Sequence, residues 1–198
     1  MRSLSTEFHA ACEAIDTANS ADPTLVTVRG VDVPLALAHG QLAAEWMLSM
    51  HGADVPPEWL VAARAHHLRR WQVARATYPE GKAGYLRWRK DQKARHAHDV
   101  ASLLATAGYD DEFVTTVQAL IQRQNLPHDA GQQAVEDAAC LVFIETQLAA
   151  FADQHDRAKV LDIIRKTARK LSPLGTSMIA HICLSSDATA LLAEALHS

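Results

Sequence analysis

Four side chains in this sequence have the types and placement to share a metal ion: His39, the adjacent pair His66 and His67, and Asp137. Imidazole and carboxylate donors suit zinc, manganese, cobalt and iron. Neighbouring residues on a helix point about 100° apart. His66 and His67 therefore flank a centre rather than both facing it, and His39 and Asp137 must arrive from other helices. Histidine is abundant overall, 11 in 198 residues, with a second cluster at 96 and 98. His51, His98, His128, His155, His181 and His197 read as surface or capping residues.

A basic, aromatic segment follows the paired histidines. Between residues 64 and 95 arginines and lysines far outnumber the two acids, Glu80 and Asp91. The helix carrying His66 and His67 is expected to continue to Trp71, which places Arg70 on their face at i+4 and i+3. Arg75 and Tyr78 sit in the loop beyond, and Arg89 on the next helix. Guanidinium forks bind phosphate or carboxylate oxygens through paired hydrogen bonds, so this block suits an anionic metabolite. Trp71, Tyr78, Tyr85 and Trp88 could stack on a ring of that metabolite. Lys90 and Lys93 read as part of a solvated helix face. Lys166 and Lys170 are later, weaker candidates for the same pocket.

The elements that must position these groups are nearly all helical. Apolar residues recur at helical spacing over 4–19, starting at Leu4, and over 34–50, 58–71, 84–107, 110–125, 130–152 and 155–171, with two short helices at the end. Tyr78-Pro79-Glu80-Gly81 is a loop by its turn chemistry. Val26-Thr27-Val28 has no evident partner and reads as loop rather than strand. The expectation is an all-α, single-domain helical bundle over residues 1–198 that carries its chemistry on inward-facing side chains.

Composition narrows the function classes. Hydrophobic residues make up 48% and charged residues 21%, and the net charge is −4. That is ordinary globular usage and disfavours a nucleic-acid polymer as partner. The start of the chain has no apolar signal region, and no run is long enough to span a bilayer. Cys12, Cys140 and Cys183 lie far apart and read as buried thiols of a reducing cytoplasm. Homo-oligomerisation stays open.

The order of these residues resembles the HD superfamily of metal-dependent phosphohydrolases over about residues 34–150. His39-Gly-Gln-Leu-Ala resembles that family's first-helix histidine, and Ala62-Ala-Arg-Ala-His-His-Leu the helix ending in its His-Asp dipeptide. Arg95-His96-Ala-His-Asp resembles a further histidine-led helix, and Glu136-Asp137-Ala-Ala-Cys-Leu-Val-Phe the helix of its last aspartate. This chain has His67 where the family has aspartate. His98-Asp99 imitates the dipeptide in the wrong helix. The resemblance implies an HD-type bundle with a divalent ion (Mn, Zn, Co or Fe) on His39, His66, His67, His96 and Asp137. It also implies proton handling by Glu136 or Glu145, and a small anionic substrate held by Arg70, Arg75, Tyr78, Arg89 and Lys170.

Two other readings stand beside hydrolysis. One is an iron-dependent oxygenase of the same type, which would want a further donor where Arg123 and Gln124 stand. The other is a non-catalytic module that binds an anionic ligand. A closer resemblance, through Ala63-Arg-Ala-His-His-Leu-Arg-Arg-Trp, Arg75-Ala-Thr-Tyr-Pro, Gly84-Tyr-Leu-Arg-Trp-Arg and Arg165-Lys-Thr-Ala-Arg-Lys-Leu-Ser-Pro, is to the bacterial domain of unknown function 4202. It implies kinship over nearly the whole chain and no particular activity.

Overall fold

The first helix, α1 (Thr6–Asn19), opens on Ser5, whose hydroxyl accepts from the Phe8 amide. It buries Phe8, Ala11 and Ile15 at helical spacing. The structure, a computed structural model, describes residues 5–126 and 128–197; Leu4 and the side chain of His197 lie outside the described residues.

A hairpin follows, β1 (Leu25–Val28) paired antiparallel with β2 (Val31–Pro34). This corrects the loop expected at Val26–Val28, whose partner is the next apolar run, Val31-Asp32-Val33. Arg29 and Gly30 both take positive φ, 51° and 84°, as a two-residue primed turn demands. Thr27 donates to Asp32 across the strands at 2.6 Å. Asp22 then ties the hairpin to the next helix, accepting from the amides of Thr24 and Ala36.

The remaining elements are helices: α2 (Leu35–His51), α3 (Pro57–Ala65), α4 (Gly81–Thr106), α5 (Asp111–Gln122), α6 (Ala130–Thr146), α7 (Leu148–Gln154), α8 (Arg157–Ala168), α9 (Pro173–Met178) and α10 (Ser186–His197). The helix expected over 130–152 is two, divided at Gln147. The described residues are thus mostly helical with one small sheet. α2 packs on both α3 and α6, α5 lies against α3 and α4, and α8 pairs with α10. One continuous apolar core joins them, with Ile15, Met47, Leu68, Leu104, Ile121, Leu141 and Leu148 among its fully buried side chains. No helix among the described residues is long and apolar enough to cross a membrane.

Two features set up the interior site. Gly40 lets α2 and α3 approach closely, since a Cβ there would lie 2.4 Å from the Arg64 carbonyl oxygen. Asp16 of α1 then locks both helices, taking two hydrogen bonds from Arg64 at 2.7 and 2.6 Å and one from Gln41 at 2.9 Å.

Candidate functional site

The helix expected to run from 58 to 71 stops at Ala65. Arg69 adopts the left-handed conformation, φ 52°, and its amide donates to the Asn19 side-chain oxygen at 3.0 Å. Arg70 therefore does not share a helical face with His66 and His67; it reaches them by a turn. Gln92 of α4 clasps that turn by donating to the Arg70 and Val73 carbonyls, and Trp88 also donates to Val73.

Four histidines come together here. Ring centroids lie 5.1 Å apart for His39 and His67, 4.0 Å for His66 and His67, and 6.1 Å for His67 and His96. Burial pushes His39 down to about 4, with Arg70 adding to it, and His96 down to about 3 for the same two reasons. Burial also holds His66 and His67 well below the usual histidine value, helped by Arg123 at His66 and by His66 itself at His67. All four rings are therefore neutral near pH 7.

The hydrogen bonds assign the tautomers. His66 and His96 donate from Nδ1 to the carbonyls of Ala63 and Leu68, each at 2.7 Å, which leaves Nε2 as a bare lone pair. Both Nε2 atoms are buried without a partner. The Thr146 hydroxyl donates to the Val142 carbonyl at 2.7 Å. It is thus the acceptor at its 3.3 Å contact with His39 Nε2. His39 Nδ1, 2.9 Å from His67 Nδ1, must then accept from it. His67 is left with its own Nε2 bare. Three imidazoles, His66, His67 and His96, so present unprotonated Nε2 atoms, while His39 orients one of them.

Anchoring Nδ1 on a carbonyl is how metal-ligating histidines are commonly held, and bare buried Nε2 atoms suit a borderline metal by their chemistry. Among the described residues, no three His, Cys, Asp or Glu side chains are gathered closely enough to hold an ion. The imidazoles would have to draw together around one.

Asp137, expected as a ligand, lies elsewhere. Thr146, the residue touching His39, is about 13 Å further along α6 by helical rise. The Asp137 carboxylate accepts from the Ser172 amide at 2.8 Å and hydroxyl at 2.5 Å, and from Gln133 at 2.8 Å. It braces the start of α9, where Gly175 packs against it. Glu145 is likewise occupied, accepting from Trp46 Nε1 at 2.7 Å.

A cavity of about 260 Å³ opens onto the histidines, lined by His39, His67, Arg70, Trp71 and Trp88 among others. The Arg70 guanidinium stacks 4.4 Å over the Trp88 ring, so Trp88 is not a free stacking surface. Burial lowers Arg70 to about 10, which leaves it a cation at neutral pH. No carboxylate forms an ion pair with Arg70 among the described residues. Arg75 and Tyr78 do not line this cavity. Arg75 donates to the carbonyls of Tyr78, Pro79 and Gly81, and the Tyr78 hydroxyl donates to Asp91; both brace the loop before α4.

Beyond the histidines lies a second charged group. Arg123 and Glu136 are buried and 3.0 Å apart, and Lys170 lies 3.7 Å from Glu136. The contact runs from Arg123 Nη1 to Glu136 Oε2 as an ion pair without a hydrogen bond, and Arg123 Nε has no hydrogen-bond partner either. Burial opposes the Glu136 charge, yet Arg123, Lys170, Lys93 and Arg89 hold its carboxyl below the usual range. Lys93, expected on a solvated face, is half-buried here. Sequence could have flagged it: Arg89, Lys93 and His96 share one stripe of α4 at spacings of four and three.

The other histidines sit apart. His51 packs edge-on against Trp59, His155 stacks on Phe151, and His98, His128 and His181 are exposed. Of the cysteines only Cys140 is buried; Cys12 is partly so and Cys183 is exposed.

Residues 9–192 match the family model described as a domain of unknown function, DUF4202. No curated protein and no solved structure matches the chain.

Proposed function

The chain belongs to the DUF4202 family, and from the geometry of its interior we propose that it hydrolyses a small phosphorylated metabolite with the help of a divalent transition metal. The observation that carries this is Arg70: a half-buried guanidinium without a carboxylate ion pair among the described residues, in a cavity whose other polar edges include Asp22, Thr24, His39 and His67. A half-buried cation without an ion-pair partner is open to an anion, and a phosphoryl group is one its fork fits.

In this proposal His66, His67 and His96 would hold the metal through their Nε2 atoms. When bound, the ion would lower the pKa of a water and polarise the phosphoryl oxygen. Arg70 orients the phosphoryl group and balances charge that develops on it. Thr146 and His39 keep His67 in the tautomer with Nε2 bare. Trp71, Val73 and Trp88 line the same cavity and give it an apolar wall. The HD-type relationship belongs to the same proposal, supported by the order of His39 on α2 and His66-His67 just after α3, with the carboxylate of Asp137 bracing α9 instead.

A second reading, an anion-binding module without catalysis, is favoured by the absence of a gathered donor set among the described residues. Chelation separates the two. Protein purified without an affinity tag should release phosphate from members of a phosphorylated-metabolite panel, lose that activity to a chelator, and regain it with one of Mn, Zn, Co or Fe. Phosphate binding with no release under any of these metals would establish the module instead.

A further inference from the structure

We propose that the site is built for a diphosphate rather than a single phosphate group, with Arg70 taking one phosphate and the group around Glu136 taking the other. The inference rests on the phosphate-binding reading above and extends it to the substrate class.

The charge balance motivates it. Arg70 and Arg123 act on the histidines, and Arg89, Lys93 and Lys170 gather with Arg123 around the Glu136 carboxylate. These cations are close enough to disturb one another: Arg89 and Arg123 act on Arg70, and Arg123, Arg89 and Lys170 on Lys93. One phosphate monoester brings about two negative charges at neutral pH and leaves positive charge in surplus. A second, linked phosphate reduces that surplus.

The geometry points the same way. Arg123 is 8% exposed and its Nε has no hydrogen-bond partner. Buried polar atoms are seldom left so, and this free donor on a buried cation calls for an anionic acceptor. Arg89 and Lys93 stand at i and i+4 on α4, a repulsive spacing for like charges, and no ion pair relieves either among the described residues. Lys170 is the exposed edge of the group, its side chain 39% accessible, so an anion can enter there. The Glu136 carboxylate holds Arg123 and Lys170 in place without neutralising the group.

Inorganic phosphate and pyrophosphate titrated calorimetrically into the purified full chain test this. The proteins are wild type, Arg70→Ala, and the double variant Lys93→Met, Lys170→Met, whose changed side chains are partly exposed and keep their aliphatic length. Pyrophosphate should bind wild type at least about tenfold tighter than phosphate. The double variant should lose about tenfold or more for pyrophosphate and less than about threefold for phosphate, while Arg70→Ala weakens both. Equal affinities in wild type, or an equal loss of both anions in the double variant, overturn the diphosphate assignment. The phosphate reading survives that result if Arg70→Ala still weakens phosphate. If wild type binds neither anion, both fall.

Discussion

His39 and His67 meet Nδ1 to Nδ1 at 2.9 Å, and with both rings neutral only one can bring the proton to that contact. Thr146 decides which. Its hydroxyl is already donated to Val142, so His39 must carry its proton on Nε2 and His67 on Nδ1. Long-range proton–nitrogen correlation spectra of the imidazoles should show bare nitrogens at His39 Nδ1 and at Nε2 of His66, His67 and His96. Thr146→Val should disturb the His39 and His67 signals and leave His96 unchanged. A protonated Nε2 on His67 in wild type would contradict the relay.

Gly40→Ala places a methyl group 2.4 Å from the Arg64 carbonyl oxygen, against backbone that cannot rotate away. Overpacking of this kind costs about 1–3 kcal/mol, measurable by urea unfolding. Because the same contact sets the approach of α2 to α3, the substitution should also part His39 from His67 and change their spectra. Unchanged stability would mean the helices are free to separate.

Asp137→Ala should lower stability by about 1–2 kcal/mol, as expected for losing a carboxylate that binds an amide and a hydroxyl at a helix start. It should leave bound metal in place, whereas His67→Ala should remove it. Elemental analysis of the two variants reads this directly. Metal lost from the aspartate variant and kept in the histidine variant would return Asp137 to the ligand set.

Much of this was legible in the sequence. Apolar periodicity located the long helices to within a few residues, and His39, His66, His67 and His96 were singled out by type and spacing. What escaped depends on partners far along the chain. α3 stops at Ala65 because Asn19, fifty residues earlier, accepts from Arg69. Asp137 leaves the histidines because Ser172, thirty-five residues later, claims its carboxylate. Lys93 reads as solvated among the charges of 87–95, and its half-buried place near Arg123 and Glu136 depends on residues far along the chain. The hairpin was missed because Arg29-Gly30 lacks the Asn or Asp that usually announces a primed turn.

The thiols give a pH test. Burial pushes Cys140 up to about 12, with the Glu136 charge adding to it. The thiolate is the reactive form, so Cys140 stays protonated and unreactive through about pH 10 in the folded protein. Exposed Cys183 should alkylate readily. Mass spectrometry after iodoacetamide should find Cys183 labelled in native protein and Cys140 labelled only after denaturation. Rapid native labelling of Cys140 would show that the interior beside Glu136 is open.

The most direct test of the hydrolytic site is phosphate release by metal-loaded wild type, Arg70→Ala and Arg75→Ala on the phosphorylated-metabolite panel, with dissolved oxygen followed in the same vessel. Wild type and Arg75→Ala should release phosphate at similar rates. Arg70→Ala should fall by about a hundredfold, the scale of losing one preorganised charge-stabilising donor, and oxygen should stay constant throughout. Equal rates for the two arginine variants, or oxygen uptake that depends on substrate, would contradict the account.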